Sequence, residues 1–402
     1  MNFSVSRTWA GIGFLLLFLI NACLVITGLF FNYIWCTILG ILLASVQLWL
    51  HGQLFSRQQV LQESLLSEGD LELVIGRSQP NTPLNILTDN GGNFDSGYRY
   101  VQCCDTTLQM AGNMLYTEIG AGNCRMPYRM NLLNIASLNT TTFDKGSVLA
   151  FSRGAKMSDC ALNTGVLGIV PELLRGGSDL VWRMDRLEAF YRNADGSFNE
   201  TLFKKAANRP YIKMIEVRIS SAHFLPDASE ISLKCFVNFM ERLKVLSGGK
   251  PTGVCLTVAD HDLFTRLCHV MADSVVYLDF VTVDSASHNM PVTALFTAID
   301  AVRSAVAKYK LPTKIIASGD LVKERDILQA IGHGAHACYS VRPFQASLGA
   351  ARGLVKPTTN KKAAAITAFH RNTLAATFRL IDACTAQQAR ANKQGLLNSE
   401  LN

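Results

Sequence analysis

Residues 250–262 read KPTGVCLTVADHD. The run TGVCLTV (252–258) has the apolar, β-branched make-up of a buried strand. Behind it, Asp260-His261-Asp262 leads into DLFTRLCHVMAD, a helix-compatible stretch. Cys255 and His261 raise the question of a nucleophile with its base, and the Asp-His-Asp cluster that of a metal site. A nucleophile needs its base within hydrogen-bond reach. A thiol in mid-strand and an imidazole in the segment beyond have no evident reason to meet. Asp260 and Asp262 read more simply as the cap and first turn of the helix. Neither a catalytic residue nor a metal site is therefore assigned here, and the His333/His336 pair in GHGAH is read as helix end and loop.

Working outward, seven further short runs share this β-rich composition. They are LLNIASL (132–138), CALNTG (160–165), SDLVWRM (178–184), KMIEVRI (213–219), FVTVDSA (280–286), TKIIASG (313–319) and AHACYSV (335–341). Helix-compatible stretches lie between them, including 233–249, 291–310 and 324–334. Strands that alternate with helices pair in parallel through right-handed crossovers. Eight such runs predict an α/β fold, a (β/α)8 TIM barrel, with Cys255 in the fifth strand and Asp260–Asp262 at the face where barrel enzymes act. An open doubly wound sheet is the alternative, but no G-x-G-x-x-G follows an early strand.

The N-terminus is of another kind. Thr8–Phe31 and Tyr33–Leu50 contain no charged residue, and each approaches the roughly 20 apolar residues that span a bilayer. A cleaved signal peptide would have a shorter apolar core. Arg7 and Arg57 flank the two runs with no Lys or Arg between them. This predicts a two-helix transmembrane hairpin with both chain ends in the cytoplasm. The predicted organisation is the hairpin over 1–52, a connecting helix (Leu54–Val74) and irregular extension over 53–129, the barrel over 130–385, and a polar tail over 386–402. Eleven cysteines at irregular spacing, with no CxxC, fit reduced thiols rather than a zinc or iron–sulfur site. The net charge is +7, and residues 353–402 carry seven Lys/Arg against two acids. Such a segment reads as a solvated face or a contact for anionic lipid; nucleic acid is not expected.

Several segments resemble the FMN-binding barrel of glutamate synthase, in order along the chain. They are IGAGNCRMPYRMNLLNIASLN (119–139), RGAKMSDCALNTG (153–165), GGSDLVW (176–182), KMIE (213–216), SGGKPTG (247–253), ASG (317–319) and FHRNTL (369–374). The resemblance implies a TIM barrel with flavin at its C-terminal face, and a stand-alone branch of the family carries N-terminal spans. It also implies Ser137, Cys255, Ser318, Gly319, Ser340 and Arg342 as a vestigial cofactor-binding set.

The departures fall where chemistry is expected. Cys255 replaces a lysine that supports the reduced flavin. Val166-Leu167-Gly168 replaces a glutamate and a glycine-rich turn. SSAHFLPDASE (220–230) is too short for the substrate loop, and SASHNMP (285–291) replaces a Gly-Gly-Thr-Gly turn. Asp320 stands where the family has a base, and GAARGLVKPTTN (349–360) lacks the cluster cysteines. The sequence-based expectation is a degenerate member with no cofactor and no iron–sulfur cluster. It would be a scaffold at the cytoplasmic face of a bacterial inner membrane, bound to lipid through the hairpin and to another membrane-associated protein. The alternatives are an active FMN-dependent oxidoreductase and a small-molecule sensor in the old pocket.

Overall fold

The eight predicted runs close into a barrel. In the computed structural model, the strands are β4 (Leu133–Ile135), β5 (Leu162–Asn163), β6 (Leu180–Met184), β7 (Ile212–Arg218), β8 (Thr252–Thr257), β9 (Phe280–Asp284), β10 (Lys314–Ser318) and β11 (Ala337–Ser340). All are parallel, each pairs with the next in sequence, and β11 pairs back onto β4. Strands buried on both faces read as continuous apolar runs, which is why these segments stood out. The structure describes residues 20–27, 29, 33–35, 37–47, 66–79, 109–111, 114–122, 124–138, 143–185, 192–220, 229–285, 290–350 and 357–399. The chain divides into two units, one of residues 1–63 with 352–357 and one of 64–351 with 358–402.

In the larger unit, β1 (Gln109–Ala111), β2 (Met114–Ile119) and β3 (Tyr128–Asn131) form an antiparallel sheet ahead of the barrel. Ile119 and Met130 from this sheet pack into an apolar cluster with Ala136, Ala161, Val181, Met214, Phe280, Ile316, Ala337 and Tyr339. The lower lumen is therefore filled by side chains, as in barrels generally. The helical shell is locally encoded. Ser229 caps α5 (Glu230–Leu246) through the Ser232 N–H, and Asp144 caps α2 (Lys145–Met157) through the Ser147 N–H.

The last helix, α10 (Thr359–Ser399), carries FHRNTL and extends through most of the segment expected as a polar tail. His370 Nε2 donates to Leu133 O at 2.9 Å, and Asn372 Nδ2 donates to Arg77 O at 2.8 Å. Arg77 ends α1 (Glu68–Arg77) and forms a buried ion pair with Glu324 of α8 (Glu324–His333). The barrel unit thus takes in α1 and the antiparallel sheet, earlier in the chain than the expected start at residue 130.

In the smaller unit, residues 20–27, 29, 34–35 and 37–47 are helical. Asn21 Nδ2 donates to Gln47 Oε1 at 2.8 Å, and Gly40 lies against Val25 so closely that a Cβ there would come within 2.7 Å of Val25 Cγ2. These contacts make an antiparallel helix pair. Among the described residues, no helix is long and apolar enough to cross a membrane. The expected spans Thr8–Phe31 and Tyr33–Leu50 lie partly outside those residues, as does most of the expected connecting helix Leu54–Val74.

Candidate active site at the barrel mouth

Strand register assigns the lumen-facing side chains. Arg183 pairs with Glu216, Glu216 with Gly253, Arg218 with Cys255, Cys255 with Thr282, and Asp284 with Ser318. Alternate residues share a face, so Met214, Glu216 and Arg218 climb one wall of the lumen, and Phe280, Thr282 and Asp284 another. Each series is apolar at the bottom and charged at the top. The charge thus collects at the C-terminal end, where barrel active sites lie.

The network there is built around Glu216, which is fully buried. Its carboxylate accepts from Asn163 Nδ2 at 2.7 Å and Thr282 Oγ1 at 2.6 Å. Burial raises its pKa, against the opposing pull of Arg183 and these two donors. Arg183 lies 2.9 Å from Asp185, and Arg218 lies 3.6 Å from Asp284. Burial pulls the Arg183 pKa down, but Cys255, Asp185, Glu216 and Asp284 outweigh it and raise the net value. Asp284 also accepts from Ser318 Oγ at 2.8 Å.

The six residues expected to hold a cofactor do not form one cradle. Ser137 follows β4 and packs against Gly165, whose φ of +55° turns the chain after β5. Ser318 faces the lumen, with its hydroxyl given to Asp284. The Gly319 N–H is donated to Tyr339 O at 3.1 Å, so it is not available to a phosphate. The Ser340 hydroxyl is buried with no hydrogen-bond partner among the described residues, and alternation turns it away from the lumen. Arg342 opens α9 (Arg342–Ala350) and pairs with Asp320 at 2.7 Å. Asp320, the acid that stands where the resemblance leads one to expect a base, is thus the partner of Arg342.

Cys255 is lumen-facing and buried, and its pKa stands well above the ordinary thiol value. Burial is the main cause, followed by Glu216 and Asp284, so the thiol keeps its proton. His261 is the first residue of α6 (His261–Ser274), with its ring toward Asp262 at 3.2 Å. Asp260 accepts from Thr257 Oγ1 at 2.7 Å. Residues 252–257 form the expected strand, whereas Asp260 stands at the N-cap position of α6 without a side-chain capping bond to the helix. His333 Nδ1 meets Asp300 Oδ2 at 2.7 Å, and His336 Nδ1 accepts from the Ile315 N–H at 3.2 Å. No group of three His, Cys, Asp or Glu side chains could hold a metal among the described residues.

Arg183, Glu216, Arg218 and Asp284 were not singled out from sequence, yet they form the charged centre. Their signal was present: charged residues at the C-terminal ends of otherwise apolar strands are rarely neutral choices in a doubly covered sheet. They also alter the argument from Cys255. The cation expected at that position is absent there, but Arg218 stands beside it on the neighbouring strand.

No family model matches the chain, and no curated protein matches it. Solved structures similar to it include a mandelate oxidase variant with the monooxide FMN adduct. That structure is 14% identical, covering 76% of this chain and 94% of the other at a TM-score of 0.44. Another is a lactate oxidase of Pediococcus acidilactici, 15% identical, covering 77% and 90% at a TM-score of 0.45. The barrel that the glutamate synthase resemblance implied is present, while membership of that family is not shown by these likenesses. The expectation of no cofactor is corrected at its ground: the cation taken as lost at Cys255 stands beside it on β7 as Arg218.

Proposed function

We propose that the chain is an FMN-dependent oxidoreductase acting on a small substrate at the C-terminal mouth of its barrel. The observation that carries this reading is the charged upper lumen of Arg183, Glu216, Arg218 and Asp284 above an apolar plug. A barrel kept only as a shell has no need of four ionisable side chains in its lumen, because each costs desolvation. Arginines stand where FMN would need them, one for its phosphate and two for the charge its ring takes on when reduced. Arg342 begins the helix after the eighth strand, a place where barrels commonly bind phosphate. It would exchange Asp320 for the phosphate. Arg218 and Arg183 would face the ring.

FMN, when bound, supplies hydride acceptance and return. The arginines would offset negative charge near the ring, the role Cys255 cannot fill with its proton in place. Glu216 holds the lumen walls in register through Asn163 and Thr282. The scaffold reading rested in part on the segments 220–230 and 285–291, and residues 221–228 and 286–289 of these lie outside the described residues.

The test is FMN titration of the full-length chain in mild detergent, read by quenching of flavin fluorescence. Saturable binding is expected. Asp320→Asn should tighten it and Arg342→Ala should weaken it, each by about tenfold, the scale of one charge-assisted contact. Failure of both wild type and Asp320→Asn to bind would overturn the proposal.

A further inference from the structure

The helix pair of the smaller unit is built with its polarity reversed. Asn21 is 4% exposed, while Leu29 is 69%, Ile34 65% and Trp35 82% exposed. Ile20, Ile26, Ile38, Leu39, Leu42 and Val46 are exposed as well. In water the stable arrangement hides apolar side chains and leaves amides in solvent. Here the Asn21 side-chain amide donates to Gln47 Oε1 across the pair, and the apolar side chains point outward.

Such a pair is stable where the surroundings are apolar, because hydrocarbon solvates the outside while the amides must find partners within. The close approach at Gly40 is the small-residue contact that helices use when no hydrophobic force drives them together. The uncharged runs Thr8–Phe31 and Tyr33–Leu50 continue the apolar character past the described helices, and Arg7 and Arg57 stand at their outer ends. Both arginines would lie at one surface, suited to anionic headgroups.

We propose that this hairpin inserts into a lipid bilayer, with its apolar exterior against acyl chains and both chain ends on one side. The occupant of the apolar surface is lipid, rather than a protein partner or a second copy of the chain. The proposal does not depend on flavin binding.

The test uses the purified full-length chain mixed with vesicles of phosphatidylcholine and phosphatidylglycerol, washed with alkaline carbonate and floated on a density gradient. The wild type should float with lipid after the wash. Leu42→Arg is harmless on a watery surface but costly within hydrocarbon, and should lower the floated fraction by roughly tenfold or more. Far-UV circular dichroism would verify that its barrel is folded. Recovery of the wild type in the aqueous fraction would overturn the proposal, whether as monomer, self-associated oligomer or peripherally bound protein. Equal flotation of folded Leu42→Arg would overturn it too.

Discussion

Replacing Glu216 tests whether the charged lumen is a built network. Glu216→Leu removes the acceptor for Asn163 Nδ2 at 2.7 Å and Thr282 Oγ1 at 2.6 Å, both buried. Each donor left unsatisfied costs about 1–3 kcal/mol, and Arg183 loses a counter-charge. Some of this is offset by the apolar side chain, leaving a loss of about 3–5 kcal/mol. At roughly 2–4 °C per kcal/mol, melting should fall by on the order of 10 °C. Glu216→Gln keeps one acceptor for Asn163 and one donor that the Thr282 hydroxyl can accept, so it should cost only about 1 kcal/mol.

The pH dependence separates the two contributions. The folded pKa of Glu216 is raised above the ordinary 4.5. Stability from this group is therefore complete below the unfolded pKa and lost as pH rises above it. Relative to Glu216→Gln, the wild type should lose ground as pH climbs from about 4.5. The assay is thermal melting of the full-length chain in mild detergent, followed by far-UV circular dichroism across pH. A Leu variant that melts with the wild type would refute the network, and a wild type to Gln difference flat in pH would refute the burial of the charge.

Two further outcomes are expected. His370 is buried, with Nδ1 unpartnered among the described residues, and burial pushes its pKa down to about 4; the same cause pushes that of the partly exposed His336 down to about 3. Both stay neutral in the fold, so the unfolded chain takes up protons first as pH falls through about 6.5, and stability drops. Between pH 6.5 and 5 the loss should be about 1.5 kcal/mol for His370, and no more than that for His336, whose partial exposure screens it. Urea midpoints across that range measure it, and His370→Gln should flatten the slope. Arg77→Met strands Glu324 and should cost about 3–5 kcal/mol, while adding Glu324→Leu should recover most of it. Equal midpoints for the single and double variants would refute the buried pair.

The sequence by itself determined the eight barrel strands and their order. Segments such as TGVCLTV and KMIEVRI are apolar and β-branched throughout, and the helices between them leave parallel pairing as the economical closure. It also marked the two uncharged N-terminal runs, because length and the absence of charge are properties of the chain alone. Only the tertiary structure decided what stands in the lumen. Arg218 and Cys255 are 37 positions apart in sequence but are register partners on adjacent strands. The charge that the resemblance led one to expect at Cys255 therefore reads as lost along the chain, while across the sheet Arg218 stands beside it. The same holds for Asp320 and Arg342, and for Arg77 and Glu324, where an apparent repulsion or an isolated charge acquires its partner from another element. Charge is compensated through space within a few ångströms, and the linear pattern carries that distance only where both partners lie on one element.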